Sequence, residues 1–373
     1  MMKQLLAIPF ALILPLANAA EHPVPFSWDT VPVYAHLANM SEDFTPEQHD
    51  FLAENFDLIA IEKGHAKRKH GSTEKGFAIA VKEIKKRNPQ AKVLFYWNST
   101  IHIGGYQANE RFPEGGGLLS KDGEPLTIFN SDFSDLSQKA VRDWWSDTAE
   151  IAVRDLGADG IFIDAAGKFS NNSRRKVLSD EKIKALNDGL VSMVVDTRKK
   201  VGPSKLLIQN GVSLDPENIG ARLLKVTDGA MKEHFVSAGH FEKEALAENM
   251  ATLNRVAKSG KVTVIKAWPG FDWRDKEVMK TPREERIRMA REAITFPLAC
   301  FLIVAEPYSY FCYTWSYQGN DTGTFVEYPE FKKPLGPPKG HALRDGWKYT
   351  REFAHASVFV DLESGDAKID WKK

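Results

Sequence analysis

Residues 157–164 have the sequence Gly-Ala-Asp-Gly-Ile-Phe-Ile-Asp, a short apolar run that follows a glycine and stops at a carboxylate, Asp164. An uninterrupted apolar run of this length is typical of a parallel strand that is buried on both faces. Seven similar runs occur along the chain. The eight predicted strands are residues 31–38, 58–62, 93–97, 160–164, 206–210, 229–235, 262–268 and 301–305.

Amphipathic helical patterns separate these runs, and some carry start signals such as Thr45-Pro46 and Thr281-Pro282. A proline at the first helical position after a threonine cap favours helix initiation. Repeated strand–helix alternation predicts a parallel α/β fold, and eight units favour closure into a (β/α)8 TIM barrel. The main alternative is an open doubly wound sheet, but no GxGxxG follows the first strand.

The two ends of the chain have other patterns. Residues 1–20 combine Lys3, an apolar run and small residues, which indicates a secretory signal peptide and a secreted or periplasmic protein. Residues 21–373 then form a single catalytic domain, because barrels of this length are common. Two short alternating runs within residues 354–373 predict a β-hairpin extension of the barrel.

Composition limits the partners. The 50 basic residues match the 50 acidic ones, so no global field favours nucleic acid or, after signal cleavage, a membrane. Cys300 and Cys312 lie at the two ends of one apolar run, where a continuous strand would hold them too far apart to bridge. We therefore expect two buried free thiols. No CxxC or HExxH motif is present, and no metal or other cofactor is expected.

Polar residues stand where each predicted strand ends, and in a barrel these positions surround one pocket. The candidate binding residues are His36, Glu62, Trp97, Asn98, Asn210, Lys266, Trp268 and Glu306. Aromatic residues suit sugar rings, whose CH faces stack on aromatic planes, and those on or just after strand ends are Trp97, Trp268, Trp273, Tyr310, Trp315 and Tyr317. The basic run 63–70 follows the second strand and either is a solvated loop or meets a sulfate or uronate on the substrate.

Asp164 and Glu233 are the candidate catalytic residues. Asp164 leaves a buried strand, and a buried carboxylate without a partner or a function is costly. Glu233 lies in the sixth strand, and glycoside cleavage requires two carboxyl groups. Glu62 and Glu306 are the alternatives, because a register shift of one residue would turn Glu233 away from the pocket. Asp159 precedes the fourth strand and is predicted to be structural.

Several segments resemble known families. Residues 135–145 and 159–164 are similar to segments of glycoside hydrolase families related to the α-galactosidase-like barrels. Residues 335–340, 349–353 and 357–361 resemble the closing segment of hypothetical glycosyl hydrolase family 15. The resemblance implies a barrel secreted by a polysaccharide-degrading bacterium. It also implies a nucleophile at Asp164 and an acid/base at Glu233, although the α-galactosidase group itself has Asp at the second position.

The sequence therefore predicts a secreted hydrolase that cleaves a glycosidic bond in a poly- or oligosaccharide, including anionic ones, by a two-carboxylate and retaining mechanism. Two alternatives remain open. A non-catalytic carbohydrate-binding barrel would keep the aromatic residues and lock its carboxylates in ion pairs. A polysaccharide lyase would use His234 or Lys266 as a base beside a uronate.

Overall fold

A single parallel sheet of eight strands forms the centre of the computed structural model, which describes residues 23–128, 130–319 and 321–372. The predicted signal peptide, residues 1–20, lies outside the described residues. The strands neighbour one another in chain order, and β8 returns to β1 through a parallel bridge between Val33 and Phe311. The strands are β1 Tyr34–Leu37, β2 Leu58–Ile61, β3 Lys92–Asn98, β4 Gly160–Asp164, β5 Leu206–Asn210, β6 Gly229–Ser237, β7 Val262–Trp268 and β8 Ser309–Tyr313. The predicted (β/α)8 barrel is confirmed.

Helices lie between successive strands around the outside of the barrel. The Thr45 side chain accepts a hydrogen bond from the Gln48 backbone, and Pro46 begins the first helix, as predicted. The helices are α1 Pro46–Asn55, α2 Lys67–His70, α3 Thr73–Arg87, α4 Lys139–Arg154, α5 Asn172–Arg175, α6 Asp180–Val201, α7 Ile219–Leu224, α8 Lys243–Lys258, α9 Arg283–Ala293 and α10 Thr295–Val304. Among the helices described, none has the length and apolar character needed to cross a membrane.

The two faces of each strand pack against different parts of the protein. Alternate side chains point inward, and Tyr34, Leu94, Phe162, Ile208 and Val264 meet in an apolar cluster inside the barrel. The residues between them point outward and pack against the helices in two larger clusters. This two-residue period decides which strand-end residues reach the interior pocket and which are part of the outer core.

Two small sheets complete the fold. In the long loop after β3, Ile101–His102, Thr127–Ile128 and Ser131–Phe133 pair antiparallel. The C-terminal sheet consists of Leu343–Asp345, Lys348–Glu352, Ala356–Asp361 and Asp366–Trp371. The last two of these strands form the predicted hairpin, which is therefore part of a larger four-stranded sheet.

The predicted eighth strand, residues 301–305, is wrong. These residues lie in helix α10 or just after it, and β8 begins at Ser309. Every residue from Phe296 to Val304 is buried, so the helix has no polar face. Periodicity cannot distinguish a helix that is buried all round from a buried strand.

The correction moves Glu306 out of the pocket. Glu306 precedes β8 and lies at the opposite end of the barrel from the strand-end pocket. Its Oε1 is 3.3 Å from Arg351 Nη2 and 3.2 Å from Asn254 Nδ2. Arg351 also donates to the carbonyl groups of Leu302 and Ile303 at the end of α10. Glu306 therefore helps to attach the C-terminal sheet to the barrel and is not a binding residue.

The two cysteines are free and buried, as predicted, but they lie on different elements. Cys300 is in the middle of α10, and Cys312 is on β8 with its side chain in the barrel interior. The continuous strand that was expected to separate them does not exist. Burial raises the pKa of the Cys312 thiol to about 12, which keeps it protonated at neutral pH.

Trp97 is also misplaced by the sequence prediction. It alternates with the inward residues Tyr96 and Asn98, so its indole points out of the barrel and is only 2% exposed. Its ring centroid lies 4.8 Å from that of Tyr106 and 5.2 Å from that of Trp144, and its Nε1 donates to the Trp145 carbonyl. Trp97 is a core residue and does not stack on a substrate.

Replacing Trp97 by Ala should lower the free energy of unfolding by about 3–5 kcal/mol, because it empties a large site in the core. The control is Trp273→Ala, which removes an indole that is 57% exposed and should change stability by about 0.5 kcal/mol at most. Urea unfolding measures both variants. Equal stability of Trp97→Ala and the wild-type protein would contradict the core assignment.

Candidate active site

A cavity of about 890 Å³ opens at the carboxyl ends of the barrel strands. Glu62, Asp164 and Glu233 line it together, as predicted, and Glu306 does not. Other lining residues include Lys63, Lys168, Asn171, Asn210, His234, Trp268, Trp273, Arg274, Tyr317 and Gln318. A further cavity, of about 440 Å³, lies at the seam between β1 and β8 and has neither Asp164 nor Glu233 in its wall.

Asn210, at the end of β5, connects the two predicted catalytic carboxylates. Its Nδ2 lies 2.9 Å from Asp164 Oδ1 and 2.8 Å from Glu233 Oε2. A primary amide has two N–H bonds and can donate to both acceptors at once. The two carboxylate oxygens are therefore no farther apart than these two hydrogen bonds laid end to end, about 5.7 Å.

Asp164 is held by donors from the neighbouring strand. The hydroxyl of Tyr96 donates a short hydrogen bond to its Oδ2, and Asn98 Nδ2 lies 3.3 Å from the same oxygen. Burial, reinforced by the negative charge of Asp164, raises the pKa of Tyr96 well above its usual range. Tyr96 therefore remains a proton donor to Asp164 at neutral pH, and the carboxylate is fixed in one orientation.

Glu233 lies in a bulge of β6. Lys232 pairs with Ile265 and Val236 pairs with Ala267, so three residues of β6 stand opposite the single residue Lys266 of β7. A bulge interrupts the ladder and bends the strand. Met231 points into the barrel interior, and Glu233, two residues later, points the same way into the cavity, where its Oε1 accepts a 3.0 Å hydrogen bond from the Tyr317 hydroxyl.

The pKa of Glu233 is below its usual range. Burial would raise this pKa, but the hydrogen bond from Asn210, the nearby imidazole of His234 and the hydrogen bond from Tyr317 together outweigh burial. Tyr317 itself stays protonated, because burial and the charge of Glu233 raise its pKa well above the usual range. Glu233 is therefore ionised in the empty site at neutral pH.

Glu62 belongs to a separate buried network. Its Oε2 lies 2.7 Å from His36 Nε2, its Oε1 forms a short ion pair with Lys63, and His36 Nδ1 lies 3.3 Å from the Tyr34 hydroxyl. Burial would raise the pKa of Glu62, but Lys63 and His36 lower it to about 2. Glu62 thus serves as a counter-ion that fixes Lys63 at the cavity wall, 4.7 Å from the centre of the Tyr96 ring.

Lys266 lies behind the cavity wall, where it is completely buried. Its Nζ is 3.2 Å from the centre of the Trp268 ring and donates to the backbone carbonyls of Ala267 and Thr314. Burial lowers the pKa of Lys266 to about 7, despite the opposing influence of Cys312, Glu233 and Asp272. Lys266 does not line the cavity, so its predicted contact with substrate is replaced by a contact with the aromatic wall.

Trp268 and His234 form that wall together. Trp268 Nε1 donates to His234 Nδ1 at 3.2 Å, and the two rings lie 15° from parallel with centroids 5.7 Å apart. An N–H bond lies in the plane of its ring, so the two rings meet edge to edge and extend one flat surface. The prediction that Trp268 lines the pocket is supported, although only 5% of the residue is exposed.

Most of the basic run 63–70 is folded back onto the protein. Lys69 Nζ lies 3.0 Å from Glu42, and His70 Nε2 lies 2.9 Å from Asp43. His65 is buried, and burial lowers its pKa to about 4. Of this run only Lys63 reaches the cavity, where Glu62 already balances its charge.

Asp159 was predicted to be structural, and its position agrees with that prediction. It lies just before β4, at the end of the barrel away from the cavity. Its Oδ2 accepts the Val93 N–H at 2.9 Å and pairs with Lys85 at 2.6 Å, which joins β4 to β3 and α3.

Tyr96 was not predicted from the sequence, Lys63 was predicted only as part of the basic run 63–70, and Tyr317 only as one of several aromatic residues. Tyr96 could have been found from the strand period, since it stands two residues before Asn98 on the inward face of β3. Tyr317 had no signal that distinguished it from the other aromatic residues near the end of β8. Among the described residues, no group of three or more His, Cys, Asp or Glu side chains could hold a metal ion.

The fold resembles those of several solved structures. Amy13B of Eubacterium rectale superposes with a TM-score of 0.53 at 11% identity, covering 90% of this chain and 86% of that chain. A noncanonic maltogenic α-amylase, AmyB, from Thermotoga neapolitana gives 0.50 at 10% identity, covering 92% and 94%. An α-amylase from Geobacillus thermoleovorans, solved with acarbose, gives 0.50 at 12% identity, covering 89% and 86%.

These similarities and the site define the class of protein, a (β/α)8 barrel of the kind found in glycoside hydrolases, with paired carboxylates at the carboxyl ends of its strands. Residues 85–357 match the model of hypothetical glycosyl hydrolase family 15, and the chain belongs to that family. No curated protein matches the sequence. Family and fold together support a carbohydrate-cleaving function.

Replacing Lys266 by Met tests its low pKa, because Met fills a similar volume without a charge. Above pH 7 the folded wild-type protein loses the Lys266 proton, whereas the unfolded chain keeps it to about pH 10.4. The unfolded state then binds more protons, so the stability of the wild-type protein rises with pH relative to the variant. The stability difference, variant minus wild type, should fall by about 1 kcal/mol between pH 7 and pH 8.

Urea unfolding of both proteins at the two pH values gives this difference, and groups common to both proteins cancel. A difference that does not change with pH would mean that Lys266 keeps an ordinary pKa and stays charged.

Proposed function

We propose that this protein is a secreted glycoside hydrolase that cleaves a poly- or oligosaccharide with retention of anomeric configuration. Secretion rests on the signal-peptide pattern of residues 1–20. The hydrolytic mechanism rests on one observation, the Asn210 amide that donates to both Asp164 and Glu233. This shared donor keeps the two carboxylates on opposite sides of one small space.

The spacing supports retention. Retaining enzymes hold their carboxyl groups about 5–5.5 Å apart, whereas inverting enzymes need about 6.5–9.5 Å to admit a water molecule. The limit of about 5.7 Å between the bridged oxygens of Asp164 and Glu233 agrees with the shorter class. The shorter spacing leaves too little room for a water molecule between the nucleophile and the sugar.

Asp164 is the nucleophile in this proposal. Its orientation is fixed by Tyr96, Asn98 and Asn210, so that an Oδ atom attacks the anomeric carbon while the glycosidic bond breaks. A covalent glycosyl ester forms, and the sugar on the other side of the bond leaves. In the second step water attacks the same carbon, the ester bond breaks, and Asp164 is released as a carboxylate.

Glu233 is the acid and then the base. It gives a proton to the departing glycosidic oxygen in the first step and takes a proton from the attacking water in the second. Because Glu233 is ionised in the empty site, it must bind a proton before the first step. Activity on substrates that need protonation should therefore be favoured on the acidic side of neutrality.

The charges around the cavity support an uncharged glycan as the main substrate class. Lys63 is neutralised by Glu62, and Arg274 Nε lies 3.0 Å from Asp272 Oδ1. An anionic sugar would have to compete with these carboxylates for their cations. Lys168 also lines the cavity and would be the first residue to meet an anionic substituent.

Hydrolysis by Asp164 and Glu233 is tested by chemical rescue, after a panel of neutral and anionic glycans has identified a substrate. Asp164→Gly should reduce kcat at least a thousandfold, and added azide should restore turnover by forming a glycosyl azide of inverted configuration. Glu233→Ala should spare activity on aryl glycosides with good leaving groups, because those need less protonation.

NMR of the first products of the wild-type protein gives the configuration directly. Near wild-type activity of both variants would contradict the assignment. Products that absorb as unsaturated uronates would identify a lyase instead, and binding without turnover would identify a carbohydrate-binding protein.

Replacing Tyr317 by Phe tests the role of Glu233. Loss of the hydrogen bond should raise the pKa of Glu233 by about half to one unit, since such a bond contributes about 1 kcal/mol. If Glu233 is the acid, the alkaline limb of the pH profile of kcat/KM moves to higher pH. The control is Tyr310→Phe. The Tyr310 hydroxyl donates to the Pro25 carbonyl, far from the carboxylates, so its removal should leave the pH profile unchanged.

A shift of the acidic limb in Tyr317→Phe, with the alkaline limb unmoved, would instead make Glu233 the nucleophile.

A further inference from the structure

Trp273 combines exposure with a position at the catalytic cavity. It is 57% exposed and lines the same cavity as Asp164 and Glu233. The other large apolar residues that are exposed in the described part of the chain are leucines. An indole left in water at the edge of a polar cavity offers an uncovered aromatic face to a ligand.

The loop that carries Trp273 is held firmly in place. The Trp273 N–H donates to the Trp315 carbonyl at 2.9 Å, and the Phe271 ring lies 5.6 Å from the ring of Trp315 in the core. On the other side, Arg274 Nε donates to both oxygens of Asp272 at 3.0 and 3.1 Å. The backbone that carries the indole therefore does not need to be ordered when a ligand binds, which lowers the entropic cost of binding.

Trp268 cannot serve the same purpose equally well. It is almost fully buried, and the Lys266 ammonium lies 3.2 Å from its ring centre on one face. It forms the inner wall, while Trp273 stands farther out on the loop that follows β7. A sugar on Trp273 would therefore be a different sugar from the one at the carboxylates.

The loop also lies on the side of Glu233. It follows β7, which pairs with β6, the strand that carries Glu233, and the charge of Glu233 raises the pKa of the neighbouring Arg274 after the effects of Asp272. The acid of a retaining glycosidase donates its proton to the leaving group, so the leaving group must lie next to the acid. The exposed indole is thus on the leaving-group side of the cavity.

We propose that Trp273 is a platform for the leaving-group sugar, so that the enzyme cleaves between two sugars of a glycan rather than releasing a non-sugar substituent. This inference rests on the proposed function, in which Glu233 is the acid. It names the substrate class of the site as an oligosaccharide or polysaccharide that continues past the cleaved bond.

The test compares Trp273→Ala on two substrates with the same sugar at the carboxylates. One is the oligosaccharide cleaved by the wild-type protein, and the other is the corresponding glycosyl fluoride, whose leaving group is too small to reach Trp273. The variant should lose about fivefold to tenfold in kcat/KM on the oligosaccharide, on the scale of one aromatic contact. It should keep wild-type kcat/KM on the fluoride.

Trp273→Phe should recover part of the loss, since it restores an aromatic face. The control is Leu343→Ala, which removes a 72% exposed apolar side chain on the C-terminal sheet and should change neither substrate. Equal losses on both substrates would place Trp273 on the other side of the bond, and no loss on either would remove it from the binding site. Either result overturns the platform and leaves hydrolysis by Asp164 and Glu233 intact, because Asp164→Gly with azide and Glu233→Ala test that separately.

Discussion

The active site depends on the amide of Asn210, which donates to Asp164 and Glu233 at once. Two carboxylates this close repel each other unless hydrogen-bond donors offset the repulsion. Here each also accepts a hydrogen bond from a tyrosine whose own pKa is far above neutrality, Tyr96 for Asp164 and Tyr317 for Glu233. These donors stabilise the negative charges without adding a cation between them, and the space for a sugar stays free.

Three basic side chains near this pair are each held by another group. Lys63 is bound by Glu62, Arg274 by Asp272, and Lys266 by two carbonyl groups and an aromatic ring. A cation in direct contact with Asp164 would reduce its reactivity toward carbon, because an ion-paired carboxylate is a weaker nucleophile. The arrangement keeps direct ion pairs away from the reacting atoms.

The sequence predicted the barrel, seven of the eight strands and the two central carboxylates, because each depends on a local pattern. A buried run that ends in a polar residue places that residue at the mouth of a barrel wherever the strand begins. The sequence pattern could not predict helix α10. This apolar run is covered on all sides by the C-terminal sheet and neighbouring helices, so it has no hydrophobic periodicity to detect. The error placed Glu306 in the site.

The prediction for Trp97 was wrong for a different reason. The element was predicted correctly as a strand, but the face of the strand to which Trp97 belongs was not. The strand was right, but the choice among its last residues required knowing which face of β3 points inward. The information was present, since Tyr96 and Asn98 are two residues apart and both are polar, whereas Trp97 lies between them. The bulge at Glu233 could not be deduced in this way, because it arises from the pairing of β6 with β7 and leaves no mark on β6 alone.

The inward and outward faces of the strands differ, and this difference explains how the barrel stays folded with a ring of buried polar groups at its mouth. Directly beneath the ring, Phe162, Ile208, Met231 and Val264 fill the interior with apolar contacts. Outside it, Trp97 and its neighbours bind the strands to the helices. The polar layer therefore contributes little of the apolar surface whose burial stabilises the fold. The charge, hydrogen bonding and position of its residues can serve the chemistry of the site. Changes on the inward face near the mouth should then alter chemistry before stability, and changes on the outward face should do the reverse.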